Sequence, residues 1–520
     1  MKNTIYKFIF LLIPLAILLN MSNRGDFWKN KYDPEYCYLL NGANLAYEYG
    51  NIGLYQHPGA TVHITTSVII KATYALRSTE NNLRDDVLLN PELYLKVIAW
   101  TYSIFNCLLL LILGLVVYKL SNEIVYGLLF QSSAILSITT IDNGFYRVSP
   151  EPLLFGAGVL LILLFTVKFY FNKSWGNISI KYNSIGKERV FVDLDVLVIL
   201  LAIILGFSFA TKINSIPLII LPFIFVSMRN KVFFLGFLVI SFFFFTIPIW
   251  SHYKDLLKWV QDLFTHSGNY GAGEKKIVDL QSFSLNFTRF IRYEPVLFGS
   301  MLVSLFFVVK LYIQKQRDKH FKILLGLLLS QVFIVLLVLK HFEFRYFLPA
   351  FPTIVLNLFV ILQLVNLSKR KKQYLVGSFI VMCFLINNFY RAKEYEINSP
   401  SIEKKSVNIY STGCSSPIYA LKFGDEFANY ANADALDKNY GKQYFYNIWD
   451  RTFTGWKSTL DTIELKELYA KKVYFYGYES FLQNYKPLFK LKRISKEKYV
   501  FAASYSKTRW YTNDTTNATY

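Results

Sequence analysis

Five short stretches of this chain, in four sets, place ionisable side chains against apolar or aromatic neighbours. The first is Tyr32-Asp33-Pro34-Glu35-Tyr36, with two carboxylates two residues apart. Aromatic surroundings lower the local dielectric and can tune a carboxylate for work as a base. Pro34 disfavours helix at Asp33 and stiffens the chain. The same pair also suits an N-cap followed by Pro at the first helical position, a structural use. The second stretch is Gln56-His57-Pro58-Gly59. The third is Val148-Ser149-Pro150-Glu151-Pro152, with Asp142 close by in sequence. An acid there would also complement a helix dipole. The fourth set is cationic. Lys212 stands in Ala210-Thr211-Lys212-Ile213-Asn214, and Arg345 in His341-Phe342-Glu343-Phe344-Arg345-Tyr346-Phe347-Leu348-Pro349. A cation at membrane depth is a candidate for holding an anion such as a phosphate, which Arg grips with two hydrogen bonds. The structural alternative is a helix-end cation snorkelling to the surface.

What must position these residues is a set of membrane helices. The chain has 520 residues, of which 53% are hydrophobic. Runs such as 196–210 and 323–339 are nearly free of charge. Uninterrupted apolar runs of roughly 17–25 residues match the bilayer core when helical. Only helices and closed barrels satisfy their own backbone in lipid, and these runs are too long for barrel strands. Spans are predicted at 5–21, 96–118, 122–141, 152–171, 194–210, 213–228, 232–250, 296–312, 323–340, 346–366 and 374–390. That makes about eleven, the first read as an uncleaved helix rather than a signal peptide because no small-residue cleavage site follows it. Residues 62–76 contain His63 and Lys71 between polar flanks and read as a helix lying in the interface.

Charge sets the orientation. The net charge of +21 raises the question of nucleic acid, but much of the positive charge falls in short loops and no aromatic–basic binding motif accompanies it. With the N-terminus in the cytoplasm, the internal loops 172–193, 229–231, 313–322 and 367–373 are rich in Lys and Arg. The short external turns hold only Arg147, Lys212 and Arg345. Three large segments then lie outside: 22–95, 251–295 and 391–520. In the last, strand-like runs at 406–411, 472–478 and 498–504 alternate with helical patterns at 417–437 and 462–471, as in a small α/β domain. The expected layout is a transmembrane domain over 1–390 and an external, periplasmic α/β domain over 391–520. The four cysteines lack metal-ligand spacing; Cys37 and Cys414 both fall outside, where a disulfide is chemically allowed.

Taken in order, these stretches resemble the GT-C superfamily of membrane glycosyltransferases, which includes the protein O-mannosyltransferases and the aminoarabinose transferases. Asp33-Pro34-Glu35-Tyr36 matches the place of that family's acidic motif in the first external loop. His57-Pro58-Gly59 is similar to its His-Pro-Pro stretch, and Arg345-Tyr346-Phe347-Leu348-Pro349 to the Arg-Tyr-Leu-Leu-Pro stretch of bacterial members. The likeness covers roughly residues 1–390. Pro34 separates the two acids, which are adjacent in the O-mannosyltransferases, so Glu35 need not share the role of Asp33. The resemblance implies an inverting transfer of sugar from a polyprenyl-phosphate donor to a glycan, lipid or protein acceptor at the outer face of a bacterial inner membrane. Asp33 would be the general base, with Glu35 beside it. His57, Glu151 and Asp142 would bind donor or acceptor. Lys212, Arg345 and His341 would hold the lipid phosphate. The family's members mostly work without a metal, although two or three carboxylates could hold Mg²⁺ or Mn²⁺ through oxygen.

Two other classes remain open at the level of residues. An O-antigen ligase or polymerase would rely on the 251–295 loop, with His252, His266, Arg289 and Arg292. A lipid-sugar flippase would show repeated halves and broken midplane helices, and the sequence is read as having neither.

Overall fold

The structure is a computed structural model. It describes residues 6–22, 26, 28, 34–47, 50, 52–184, 187–268, 271, 273–389, 407–411, 416–447, 452–460, 473–478, 491–493, 497–501 and 504–513. The chain divides into two compact units. One comprises residues 1–21, 55–62 and 100–390, the other 22–54, 63–99 and 391–520.

The first unit is helical. Among the described residues of the chain, six helical segments are long and apolar enough to cross a membrane: Pro91–Ser121, Pro150–Tyr170, Met228–Phe245, Pro295–Ile313, Lys319–Lys340 and Phe344–Leu364. The architecture is that of a helical membrane protein. Pro150 opens its helix at a position where no amide hydrogen is needed. That helix, Pro150–Phe165, is buried along almost its whole length. Val196–Thr211 packs beside it and also against Met228–Phe245. The second contact is close: a Cβ at Gly206 would come within 2.6 Å of Ser241. Small residues permit such approaches between membrane helices.

Several expected spans are broken. Segment 122–141 forms Ile124–Gln131, a 3₁₀ turn at Ser132–Ile135 and a short helix at Ile138–Asn143. Segment 213–228 begins as a 3₁₀ helix, Ile213–Ile219, followed by Ile220–Phe223. Pro217 and Pro222 each remove a backbone donor there, and so do not sustain a regular helix. The expected loop 172–193 holds a hairpin. Strand β1, Asn177–Ser184, pairs antiparallel with β2, Lys187–Asp195. Asp195 ends the hairpin and caps the next helix, accepting from the Leu197 amide at 2.7 Å. Lys168 Nζ completes the arrangement at 2.6 Å from the same carboxylate.

The second unit is built from early and late parts of the sequence. Strands β3 (Val407–Ser411), β4 (Tyr444–Asn447), β5 (Thr452–Thr454), β6 (Val473–Tyr478), β7 (Leu491–Arg493), β8 (Glu497–Phe501) and β9 (Ser504–Asn513) form one sheet. Its order is β5-β4-β3-β6-β9-β7, with β8 also paired to β9. β3 is parallel to both β4 and β6. Parallel neighbours need a crossover, and helices Pro417–Glu426 and Ala433–Tyr440 supply it between β3 and β4. The expected strands at 406–411, 472–478 and 498–504 agree with β3, β6 and β8 within about three residues. The helical pattern at 462–471 and Cys414 lie outside the described residues.

Helix Glu35–Ala46 is buried on nearly every face and packs on Pro417–Glu426. Gly424 makes the approach possible: a Cβ there would lie 2.8 Å from the Tyr36 carbonyl oxygen. The turn after the helix is clasped by amides. Asn41 Nδ2 donates to the Phe427 carbonyl at 2.9 Å, and Asn44 Nδ2 to that of Ala428 at 3.3 Å. Asn432 Nδ2 donates both to Asn44 Oδ1 and to Asp425 Oδ1. Arg84 donates to the Ala431 carbonyl at 2.7 Å. Asn429 and Tyr430 take positive φ in this turn, a conformation the clasp has to maintain.

Candidate functional site

Four ionisable groups of the first unit, His57, Glu151, Lys212 and Arg345, converge at a break between helices. Lys212 ends Val196–Thr211 in an extended conformation, φ −162° and ψ 130°. There it forms an isolated antiparallel bridge with Pro58. The contact is reinforced by the Gly59 amide donating to the Thr211 carbonyl at 3.3 Å. Thr61 Oγ1 and Thr211 Oγ1 lie 2.7 Å apart. His57 adopts φ 85° immediately before Pro58. A non-glycine residue in that region is strained, and such strain concentrates at functional positions.

Lys212 Nζ lies 2.6 Å from Glu151 Oε1, with both side chains buried. Arg345 Nε approaches the same oxygen at 3.9 Å. Tyr346 lies beneath the lysine, its ring centroid 4.1 Å from Nζ. That distance suits a cation–π contact. The backbone of Tyr346 is fixed by Asn214, whose Nδ2 donates to its carbonyl at 2.8 Å. The His57 ring is 6.2 Å from Tyr346 and meets Trp259 edge-on at 5.1 Å. Burial, then the Lys212 and Arg345 charges, hold the His57 imidazole well below its usual pKa, so it is neutral. Burial also lowers Lys212, to about 8, against the opposing pull of Glu151. Two cations thus share one carboxylate beside a neutral imidazole.

No family model, curated protein or solved structure matches this chain. The chemistry of the cluster therefore stands on its own geometry: an ammonium, a guanidinium and an aromatic floor make a setting for an anion.

The other candidates named from the sequence fall elsewhere or outside the described residues. Asp33 is among the latter. Glu35 is fully buried in the first turn of Glu35–Ala46, in the other unit. That helix takes Pro34 as its N-cap, not Asp33. Asp142 is partly exposed on Ile138–Asn143. His341 is tied by Nε2 to the Leu263 carbonyl at 3.0 Å. His63 is buried in the second unit, its Nε2 2.8 Å from the Leu54 carbonyl. Among the described residues, no group of three or more His, Cys, Asp and Glu side chains gathers as a metal ion would need.

Reading the residues missed Trp259 and the role of Tyr346 as a floor. It also missed Glu294, a fully enclosed acid whose Oε1 accepts from Thr139 Oγ1 at 2.6 Å. Burial raises its pKa to about 7, against the hydroxyl contacts of Thr139 and Ser137. The signal was present: Glu294-Pro295 repeats Glu151-Pro152, an acid followed by proline at the start of an apolar helix.

Proposed function

We propose that this chain transfers a sugar from a polyprenyl-phosphate donor to an acceptor, in the manner of the GT-C superfamily it resembles. The observation that supports this reading is the Lys212–Glu151–Arg345 cluster, two cations around one carboxylate, seated beside His57 at the ends of membrane helices. A lipid phosphate leaving the sugar develops charge as the bond breaks. Positioned cations stabilise that charge more in the transition state than in the ground state. Glu151 holds the cations in place and prevents their mutual repulsion from separating them. His57, being neutral, can donate or accept a hydrogen bond to the sugar. Asp33 is assigned the proton of the attacking acceptor group, with inversion in a single displacement.

In the same reading the chain is a bacterial inner-membrane protein of about eleven spans, N-terminus in the cytoplasm and residues 391–520 in the periplasm. Mass spectrometry of envelope glycans and glycoproteins, from cells with and without the gene, tests the assignment. A glycan modification that disappears with the gene supports it. An unchanged profile, together with no transfer by purified chain from polyprenyl-phosphate sugars, removes it. Substantial transfer by Asp33→Asn would remove Asp33 as the base.

A further inference from the structure

The segment between the Met228–Phe245 and Pro295–Ile313 spans contains two helices, Tyr253–Thr265 and Leu280–Tyr293. Each divides its surface three ways. In the first, Leu256 and Trp259 are buried, and Leu263 shares their face. Leu257 and Phe264, seven residues apart and on one face, are 67% and 60% exposed. Lys254, Lys258, Gln261 and Thr265 occupy the polar face, with Asp255 and Asp262 beyond them. The second helix repeats the division. Asn286 and Phe290 are buried, whereas Leu280 and Phe287 are 79% and 42% exposed on a neighbouring strip. Thr288, Arg289 and Arg292 lie on the far side, together with Leu285, which is 53% exposed. A helix packing on protein alone would bury its whole apolar face; here a flank of that face stays bare in both.

The height of the two helices is fixed by hydrogen bonds. Lys340 Nζ donates to the Phe264 carbonyl at 2.9 Å, and His341 Nε2 meets the Leu263 carbonyl at 3.0 Å. Asn286 Nδ2 donates to the Leu339 carbonyl at 3.0 Å. All three bonds come from the last residues of the Lys319–Lys340 span or the residue after it. Both helices therefore sit at one end of a membrane-crossing helix, the end that leads into Arg345. The bracketing spans also carry bare apolar side chains, among them Ile240, Phe244, Leu305 and Phe306, the kind of surface a span turns to lipid.

We propose that Tyr253–Thr265 and Leu280–Tyr293 lie in the membrane interface, with Leu257, Phe264, Leu280 and Phe287 inserted among the acyl chains and the basic residues at headgroup level. An interfacial helix has this character, an apolar flank in the acyl boundary and a cationic polar face. Trp259 projects from the first helix onto His57, so the helix joins the lipid surface to the candidate site. The insertion does not depend on sugar transfer.

The test uses the full chain in vesicles of phosphatidylcholine and phosphatidylglycerol. A photoreactive benzophenone amino acid replaces, one at a time, Leu257, Phe264, Leu280 and Phe287, and as polar-face comparisons Gln261 and Thr288. All six side chains are exposed; Phe287 also meets the rings of Phe290 and Phe298, and a benzophenone ring there replaces one aromatic contact with another. After irradiation, lipid adducts are counted by mass spectrometry. The expected result is lipid adducts at the four apolar positions, several-fold above those at the two polar ones. Equal yields at all six positions would overturn the proposal. So would cross-links from the apolar positions to another protein or a second copy of the chain in place of lipid.

Discussion

Lys212 and Glu151 form a buried ion pair at 2.6 Å, joining the end of one helix to the first turn of another. Removing Lys212 leaves Glu151 enclosed with only the longer Arg345 contact to balance its charge. Lys212→Met is therefore expected to cost about 3–5 kcal/mol of stability. The double variant Lys212→Met with Glu151→Leu should recover most of that loss, since a well-packed apolar pair replaces an ionic one at little cost. Thermal unfolding in detergent of the two single variants and the double one measures the coupling. Additive losses would mean that the pair does not act as a unit.

Arg345 lies farther from Glu151, at 3.9 Å, and is the more exposed of the two cations. If it holds a leaving phosphate, Arg345→Ala lowers the rate of sugar transfer by about 10²–10³-fold, the size of effect seen when one charge-stabilising donor is removed. Arg345→Lys restores only part of the rate, because the two-pronged contact is lost. Inhibition of the wild type by free polyprenyl phosphate should weaken in step. A rate unchanged in Arg345→Ala would exclude the phosphate role.

Asp425 gives the second unit a pH dependence of defined sign. Burial raises its pKa from 3.8 to about 6, outweighing the Asn432 hydrogen bonds. The folded chain then binds this proton more tightly than the unfolded chain. Its contribution to stability is full below pH 3.8 and is lost as the pH rises to about 6. The total change is on the order of 2–3 kcal/mol. Asp425→Asn should flatten the slope over that window, as measured by denaturant unfolding of the full chain at several pH values.

Glu294, with a pKa of about 7, should be largely protonated at pH 6. Infrared difference spectra should contain a protonated-carboxyl stretch that Glu294→Gln removes and that fades as the pH rises past 7. Persistence of the band in the variant would assign it to another acid.

The approach at Gly424 has no room for a methyl group, since the nearest atoms belong to Tyr36, its backbone foremost. Gly424→Ala should cost about 1–3 kcal/mol by overpacking. Faster proteolysis within residues 22–54 would place the damage at that contact. A protease pattern like that of the wild type would mean that the helices separate without loss.

The helical membrane architecture was legible because apolar runs longer than about 17 residues have few other outcomes. His57, Glu151, Lys212 and Arg345 were also legible, as charges or a proline-flanked imidazole interrupting otherwise apolar sequence. Their meeting was expected from the resemblance, not from any local pattern. It depends on the break at Lys212 and on its bridge to Pro58, a pairing between residues far apart in sequence that no local pattern encodes. Segment 122–141 read as one helix because its hydropathy is uniform, whereas Ser132-Ser133 and Ser137 offer the backbone other partners. The β1–β2 hairpin alternates Ile178, Ile180 and Tyr182 against Val190, Val192 and Leu194, a period-two pattern that the surrounding charge obscured.

Asn44 and Asn432 are 388 positions apart in sequence and joined by one amide hydrogen bond. In synthesis from the N-terminus, the Glu35–Ala46 helix is made long before the turn that encloses it exists. Its apolar faces must wait, bare or chaperoned, while all the intervening membrane helices are inserted. Chains stalled or truncated before residue 417 would display those faces. They should be recognised by quality-control proteases although every membrane helix is present, which makes the last quarter of the sequence the step that completes the first.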